Sequence, residues 1–321
     1  MMPLLKRLTG ELTTLLKDTT GVYLTLLKVM LPALLLVKTL DMLGGTQWLA
    51  WLLSPLMQLM GLPDSLGLVW ATVLLTNIYT AMLVFFEVAG QEPLTAAQLT
   101  ILGTLMLLAH SLPVEGAVAK RAGVSWRATL AIRIGGALTL GMILNGIYSL
   151  TGWLQTPGQV LWQPQDTPDA GLLAWTGDQL ITLLGIFPVI LALLGLLRLL
   201  RLLGIENAIH ALLFPVLRLL GIGREAANIT IIGVTLGLSY GAGLLIREAN
   251  SGRLSRRDIF LTLSFLGLCH SIIEDTLLIL LLGADLSGIL WARLIFSIVV
   301  IAILARLPSV LPRPARPVTE D

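Results

Sequence analysis

Two short stretches decide how this chain is read: AHSLPVE at 109–115 and CHSIIED at 269–275. Each sets a His-Ser pair, followed within five residues by carboxylates, inside a long apolar run. Ionisable side chains are costly at membrane depth, and where they occur they face a cavity or a partner. Pro113, with the restriction it places on Leu112, predicts that a helix breaks in the first stretch. A broken helix exposes backbone amides and carbonyls that can hold an ion or an anionic group.

The surrounding sequence is that of a membrane protein. Apolar runs fall at 21–40, 48–60, 66–87, 98–112, 128–150, 178–200, 205–220, 226–246, 258–282 and 289–307. Most are long enough to cross about 30 Å of hydrocarbon. The 48–60 and 205–220 runs are short and read as short crossings, re-entrant segments or interfacial helices. Only 21 Lys and Arg and 19 Asp and Glu occur among 321 residues, and 56% of the chain is hydrophobic. A soluble domain carries about 25% charged residues. The composition excludes an ordinary soluble protein and a disordered chain. The net charge of +2 offers no basic patch for nucleic acid.

The expected organisation has five parts. Residues 1–20 form an amphipathic cytoplasmic lead-in rather than a cleaved signal, because Lys6, Arg7, Glu11, Lys17 and Asp18 interrupt any apolar core. Two membrane repeats occupy 21–150 and 178–307, separated by a linker at 151–177 that has no Lys or Arg. A cytoplasmic tail covers 308–321. Basic residues near 120–127, 198–201, 247–257 and 306–316 mark the cytoplasmic side. The linker and the 88–97 loop then lie outside.

The two halves are related at an offset of about 160 residues. SPLMQLMGLP (54–63) falls on FPVLRLLGIG (214–223), Tyr79 on Tyr240, Glu87 on Glu248 and Arg133 on Arg293. The His-Ser stretches match with a one-residue slip. The loop after Glu87 has no Lys or Arg, whereas the loop after Glu248 carries Arg253, Arg256 and Arg257. Equivalent loops on opposite sides define an inverted-topology repeat, an arrangement that places a solute site near the bilayer midplane. The expected fold class is therefore all-α: a polytopic membrane protein of about ten segments, with broken or re-entrant helices.

The candidate binding residues follow from this symmetry. His110, Ser111, Glu115, His270, Ser271, Glu274 and Asp275 form the duplicated polar breaks. Their bland reading is that Glu115 and Glu274 are helix-end residues satisfied by neighbouring Ser or Arg. Asn77, Tyr79, Ser239, Tyr240 and Gly241 add hydrogen-bonding groups and close-approach positions in TNIYTAMLVFFE (76–87) and GLSYGAGLLIRE (237–248). Packing through small residues explains the second set equally well. Arg133 and Arg293 either pair with a carboxylate of their own repeat or snorkel. Trp48, Trp51, Trp70, Trp126, Trp153 and Trp291 are expected in interfacial belts. The single Cys269 rules out an internal disulfide and a Cys-based metal site. With no zinc-spaced ligands and no HExxH, GxSxG or Walker motif, the expectation is no cofactor, no metal and no enzyme activity.

The second half resembles the Gate, or nucleoside recognition, domain family. GVTLGLSYGAGLLIRE (233–248), SGRLSRRD (251–258) and FLGLCHSIIEDTLLILLLGAD (265–285) carry the resemblance. The first half resembles it more weakly through TNIYTAMLVFFE and AHSLPVEGAV. Relatives with such domains include the spore maturation proteins A and B, the ferrous iron transporters and the concentrative nucleoside transporters. The resemblance implies two Gate-like repeats in the inner membrane of a bacterial cell. The function expected is a secondary transporter or permease for a small polar, nucleoside-like or anionic solute, proton- or ion-coupled. The alternative is a non-transporting scaffold or assembly factor like the spore maturation proteins. Expected partners are the solute or ion and the lipid bilayer, with no nucleic acid. The Gly- and Ala-rich helices are compatible with a homodimer.

Overall fold

The computed structural model describes residues 2–89, 93–161 and 171–307, and the side chains within them other than those of 2–9, 89, 206 and 236–245. The first half runs α1 (Met2–Met42), α2 (Gly45–Leu59), α3 (Leu66–Leu75), α4 (Ile78–Ala89), α5 (Ala96–Leu108), α6 (Leu112–Arg121) and α7 (Trp126–Thr151). The second half runs α8 (Leu172–Leu202), α9 (Ile205–Leu219), α10 (Arg224–Asn250), α11 (Arg256–Leu268) and α12 (Glu274–Leu280). It closes with a π-helical turn (Ser287–Ala292) that leads into α13 (Arg293–Arg306). Among the described residues there is no β-strand, only an isolated bridge between Thr95 and Pro157.

Among the described residues five stretches are long and apolar enough to cross a membrane: Gly10–Met42, Ala96–Arg121 (which is interrupted at 109–111), Trp126–Thr151, Leu172–Leu202 and Ser287–Arg306. The expected ten segments are not reached among the described residues, because the chain breaks several apolar runs into short helices. The 66–87 run divides at Thr76 and Asn77 into α3 and α4. The 98–112 run ends at Ala109 and restarts as α6, and the 258–282 run divides into α11 and α12. Helices of 10 to 13 residues rise only about 15–20 Å, too short to cross alone. At the N-terminus α1 runs without interruption through residue 20.

Burial sorts the helices into a centre and a surround. Every residue of α5 from Leu99 to Leu108 is buried, and so is every residue of α11 from Ile259 to Leu268. Helices apolar on all sides are interior ones. By contrast α1, α7, α8 and α13 present Leu24, Leu35, Leu36, Leu150, Leu173, Ile295, Val299 and Ile303 outward. Such side chains suit lipid rather than water. Trp48, Trp51, Trp153 and Trp291 are exposed, as interfacial anchors should be. Trp70 departs from that expectation: it is 2% exposed and packs in the core with α3.

The helix boundaries repeat as the sequence offset did. α2 and α9 each have 15 residues, begin after a left-handed glycine (Gly44 and Gly204) and contain a proline (Pro55 and Pro215). α5 and α11 each have 13 residues and start after a capping hydroxyl, Thr95 or Ser255. These side chains accept from the backbone N–H groups of Gln98 and Asp258 and satisfy donors that a helix start leaves free.

Candidate functional site

The site is built where α5 and α11 stop. The residue after each helix, Ala109 or Cys269, has an extended ψ of 75°, and the serine beyond it is left-handed, with φ of 49° at Ser111 and 46° at Ser271. A non-glycine residue in that region carries strain of order 1–3 kcal/mol and persists only where its surroundings hold it. Here the surroundings do. The Ser111 N–H donates to the Val73 carbonyl at 3.0 Å, and its hydroxyl donates to the Thr76 carbonyl at 2.5 Å. In the other half the Ile272 N–H donates to the Val234 carbonyl at 2.9 Å. Each break is thus tied to the helix preceding it in its own half.

A buried helix C-terminus leaves carbonyls that need donors. Two arginines supply them. Arg133, on α7, donates through Nε to the Leu108 carbonyl at 3.0 Å. Arg293, at the start of α13, donates through Nη2 to the His270 carbonyl. Both side chains are only 1% exposed. A guanidinium at a helix C-terminus also meets the negative end of the helix dipole. Glu115 lies in the first turn of α6, and Glu274 and Asp275 in that of α12, where the dipole favours negative charge.

The two breaks face each other. His110 Nε2 and His270 Nε2 are 3.0 Å apart. Glu115 Oε1 lies 3.3 Å from the first nitrogen and 3.2 Å from the second. Asp275 Oδ2 is 3.8 Å from His110 Nε2. The far oxygen of Glu115, Oε2, receives a bond from Arg133 Nη1. The other ring nitrogens point back along their own helices: His110 Nδ1 is 2.9 Å from the Met106 carbonyl, and His270 Nδ1 is 2.7 Å from the Leu266 carbonyl. A carbonyl only accepts, so each Nδ1 carries the proton, and in a neutral ring Nε2 presents a lone pair.

The structure brings together four of the sequence candidates, His110, His270, Glu115 and Asp275, and adds Arg133 to them. Glu274 is set apart from these groups, beside Tyr79 of the other half. Ser111 and Ser271 shape the turns. Asn77 caps α4, its Oδ1 accepting from the Thr80 N–H at 3.0 Å and from the Thr80 hydroxyl at 3.2 Å. The side chains of Ser239, Tyr240 and Gly241 lie outside the described residues. Arg133 pairs with a carboxylate of its own half, as one of its two readings had it, whereas Arg293 caps a carbonyl. The signal for both was their shared offset of 160 residues. Glu87 is 3.7 Å from Lys38 and accepts from Trp175 Nε1 at 2.7 Å and Gln179 Nε2 at 2.8 Å. Glu248 pairs with Arg253 at 2.5 Å rather than with the adjacent Arg247.

The uncharacterized membrane protein YvoD of Bacillus subtilis (strain 168) is similar to this chain, 28% identical over 273 residues that cover 84% of the chain and 86% of YvoD. No family model matches, and no solved structure matches. With five apolar spans and no β-strand among the described residues, this similarity makes the protein a polytopic α-helical membrane protein.

Proposed function

We propose that the protein is a secondary transporter or permease whose site is the His110–His270–Glu115–Asp275 cluster. The observation that carries this reading is the meeting of two matched helix breaks, one from each half, at a buried charged centre. Buried ionisable groups inside an apolar bundle mark ion and solute pathways. The repeated helix lengths at one offset, with a loop that lacks Lys and Arg and an Arg-rich loop at equivalent positions, support two Gate-like repeats of inverted topology. Such repeats hold their site at their interface and expose it by rocking one half against the other. The basic loops fit the cytoplasmic face of a bacterial inner membrane. His110, Glu115 and His270 are buried. The cavity beside Tyr79 and Leu278 and the cavity beside Arg133 and Ser264 each have room for about one water. A nucleoside-sized solute needs a pocket of about 300–1,000 Å³, more than either of these two cavities offers.

The burial of the two histidines against each other favours a second reading. Two His-Ser motifs packed in this way suit a scaffold that transports nothing. Reconstitution into liposomes separates the two. The transporter reading expects saturable uptake of one class among nucleosides, small organic anions and divalent cations, abolished by His270→Gln. Folded protein that moves none of them would leave the scaffold. The inverted arrangement is tested by labelling Pro93→Cys and Ser251→Cys in a Cys269→Ser background from outside intact cells. Labelling of Pro93→Cys alone is expected, and equal labelling of both would reject inversion.

A further inference from the structure

Three groups that repel one another meet in the core. His110 Nε2, His270 Nε2 and Glu115 Oε1 stand 3.0, 3.2 and 3.3 Å from one another. With both Nδ1 atoms committed as donors to the Met106 and Leu266 carbonyls, neutral rings turn two lone pairs and a carboxylate oxygen toward one point. A fourth electron-rich atom, Asp275 Oδ2, is buried beside them and accepts no hydrogen bond. The surrounding charges do not remove the mismatch. Arg133 is bound to the far oxygen of Glu115 and Arg293 to the His270 carbonyl, so neither contact supplies a donor to the ring nitrogens or to Asp275 Oδ2. A buried lone pair without a partner costs free energy, so the arrangement calls for a cation at its centre.

The spacing names the kind of cation. Ligand atoms about 2.1 Å from one ion are about 3.0 Å apart at adjacent octahedral positions and about 3.4 Å apart in a tetrahedron. The three observed edges fall within that interval. The outer groups also have the form of a metal site. Each imidazole is held by an Nδ1–H bond to a carbonyl, and the coordinating carboxylate is held at its other oxygen by Arg133. Such partners fix the tautomer and orientation of metal ligands. Two imidazoles select against Mg2+ and Ca2+, which take oxygen ligands. The absence of a thiolate in the set selects against Cu(I).

We infer that His110, His270 and Glu115 bind a divalent first-row transition-metal ion of the Zn2+, Fe2+ or Mn2+ class at the meeting point of the two halves, with the Asp275 carboxylate beside the set rather than in it. Resting on the transporter reading, this makes the metal the ion that the site carries or uses for coupling. The ligands come from both halves, so the ion also fastens them to each other. Rocking the halves apart breaks the set.

The test uses the full chain, purified in detergent and stripped with a chelator. Calorimetric titration with Zn2+ is expected to give one site per chain, with Mg2+ giving no heat at the same concentration. Co2+ loading is expected to give a visible d–d band of a nitrogen- and oxygen-ligated ion. His110→Gln, His270→Gln and Glu115→Gln should each weaken Zn2+ binding at least tenfold, while Glu248→Gln leaves it unchanged. Size-exclusion profiles identify any variant that fails to fold, and the Mg2+ and Co2+ measurements on the unaltered chain stand without the variants. No stoichiometric Zn2+ site, or one that survives both histidine substitutions, would overturn the proposal and leave a shared proton as the cation between the rings. Binding does not depend on flux. One Zn2+ per chain in a protein that transports nothing keeps this site and rejects the transporter, whereas solute uptake without metal binding does the reverse.

Discussion

Replacing Arg133 by Met should be among the most damaging single changes in the described core. The side chain is 1% exposed and links three things: the Leu108 carbonyl at the end of α5, the Glu115 carboxylate on α6, and α7 itself. Methionine keeps much of the volume, so the cavity contribution is small. The loss is electrostatic. Removing one partner of a buried ion pair strands the other and costs about 3–5 kcal/mol. The uncapped Leu108 carbonyl adds about 1–3 kcal/mol. Glu115→Gln alone leaves the guanidinium with its carbonyl partner and should cost less. The double variant removes both charges, so the pair should couple by about 2–3 kcal/mol in a double-mutant cycle. Unfolding in mixed micelles, followed by tryptophan fluorescence and by far-ultraviolet circular dichroism, reads all four proteins. An Arg133→Met cost below about 1 kcal/mol, or a coupling near zero, would refute the claim that this pair holds the two breaks in register.

Other changes probe separate joints. A Cβ on Gly116 would run into the Trp126 ring, so Gly116→Ala should destabilise by about 1–3 kcal/mol. Trp126→Leu in the same chain should restore most of that loss, and micelle unfolding compares the two. At Ser271, with φ of 46°, glycine should be tolerated to within about 1 kcal/mol while valine costs about 1–3 kcal/mol; equal stability of the two would contradict a strained turn. Trp175→Phe removes the Nε1 donor to Glu87 and should cost about 1.5–3 kcal/mol, with faster proteolysis near the start of α8 as its readout. Ser287→Ala removes the partner of the Tyr148 hydroxyl, 2.9 Å away, and should lower stability by about 1 kcal/mol in the same micelle assay.

The membrane class, the paired polar breaks and their residues were all legible in the chain itself. Apolar runs of about 20 residues have one physical destination, and an offset shared by His, Ser, Arg and Tyr does not depend on geometry. Proline at 113 marked one break, and the duplicated His-Ser marked the other, which has no proline. The number of spans was less legible. Hydropathy registers that a run is apolar but not that its helix stops halfway, so α3 with α4 and α11 with α12 each read as one segment. Trp70 was misplaced for a related reason: its position near a helix end is the same whether that end meets an interface or the core.

What the sequence determined by itself is an all-helical membrane chain with duplicated histidine breaks, because hydrophobic length and repeat spacing are local quantities. Only the tertiary structure decided that the nitrogens of His110 and His270 point at one another, that Glu115 rather than Glu274 joins them, and that Arg133 braces the set. Those are distances between atoms 18 to 160 residues apart in the chain, fixed by how α5, α7 and α11 pack. A site assembled from ligands on separate helices has no local spacing to read.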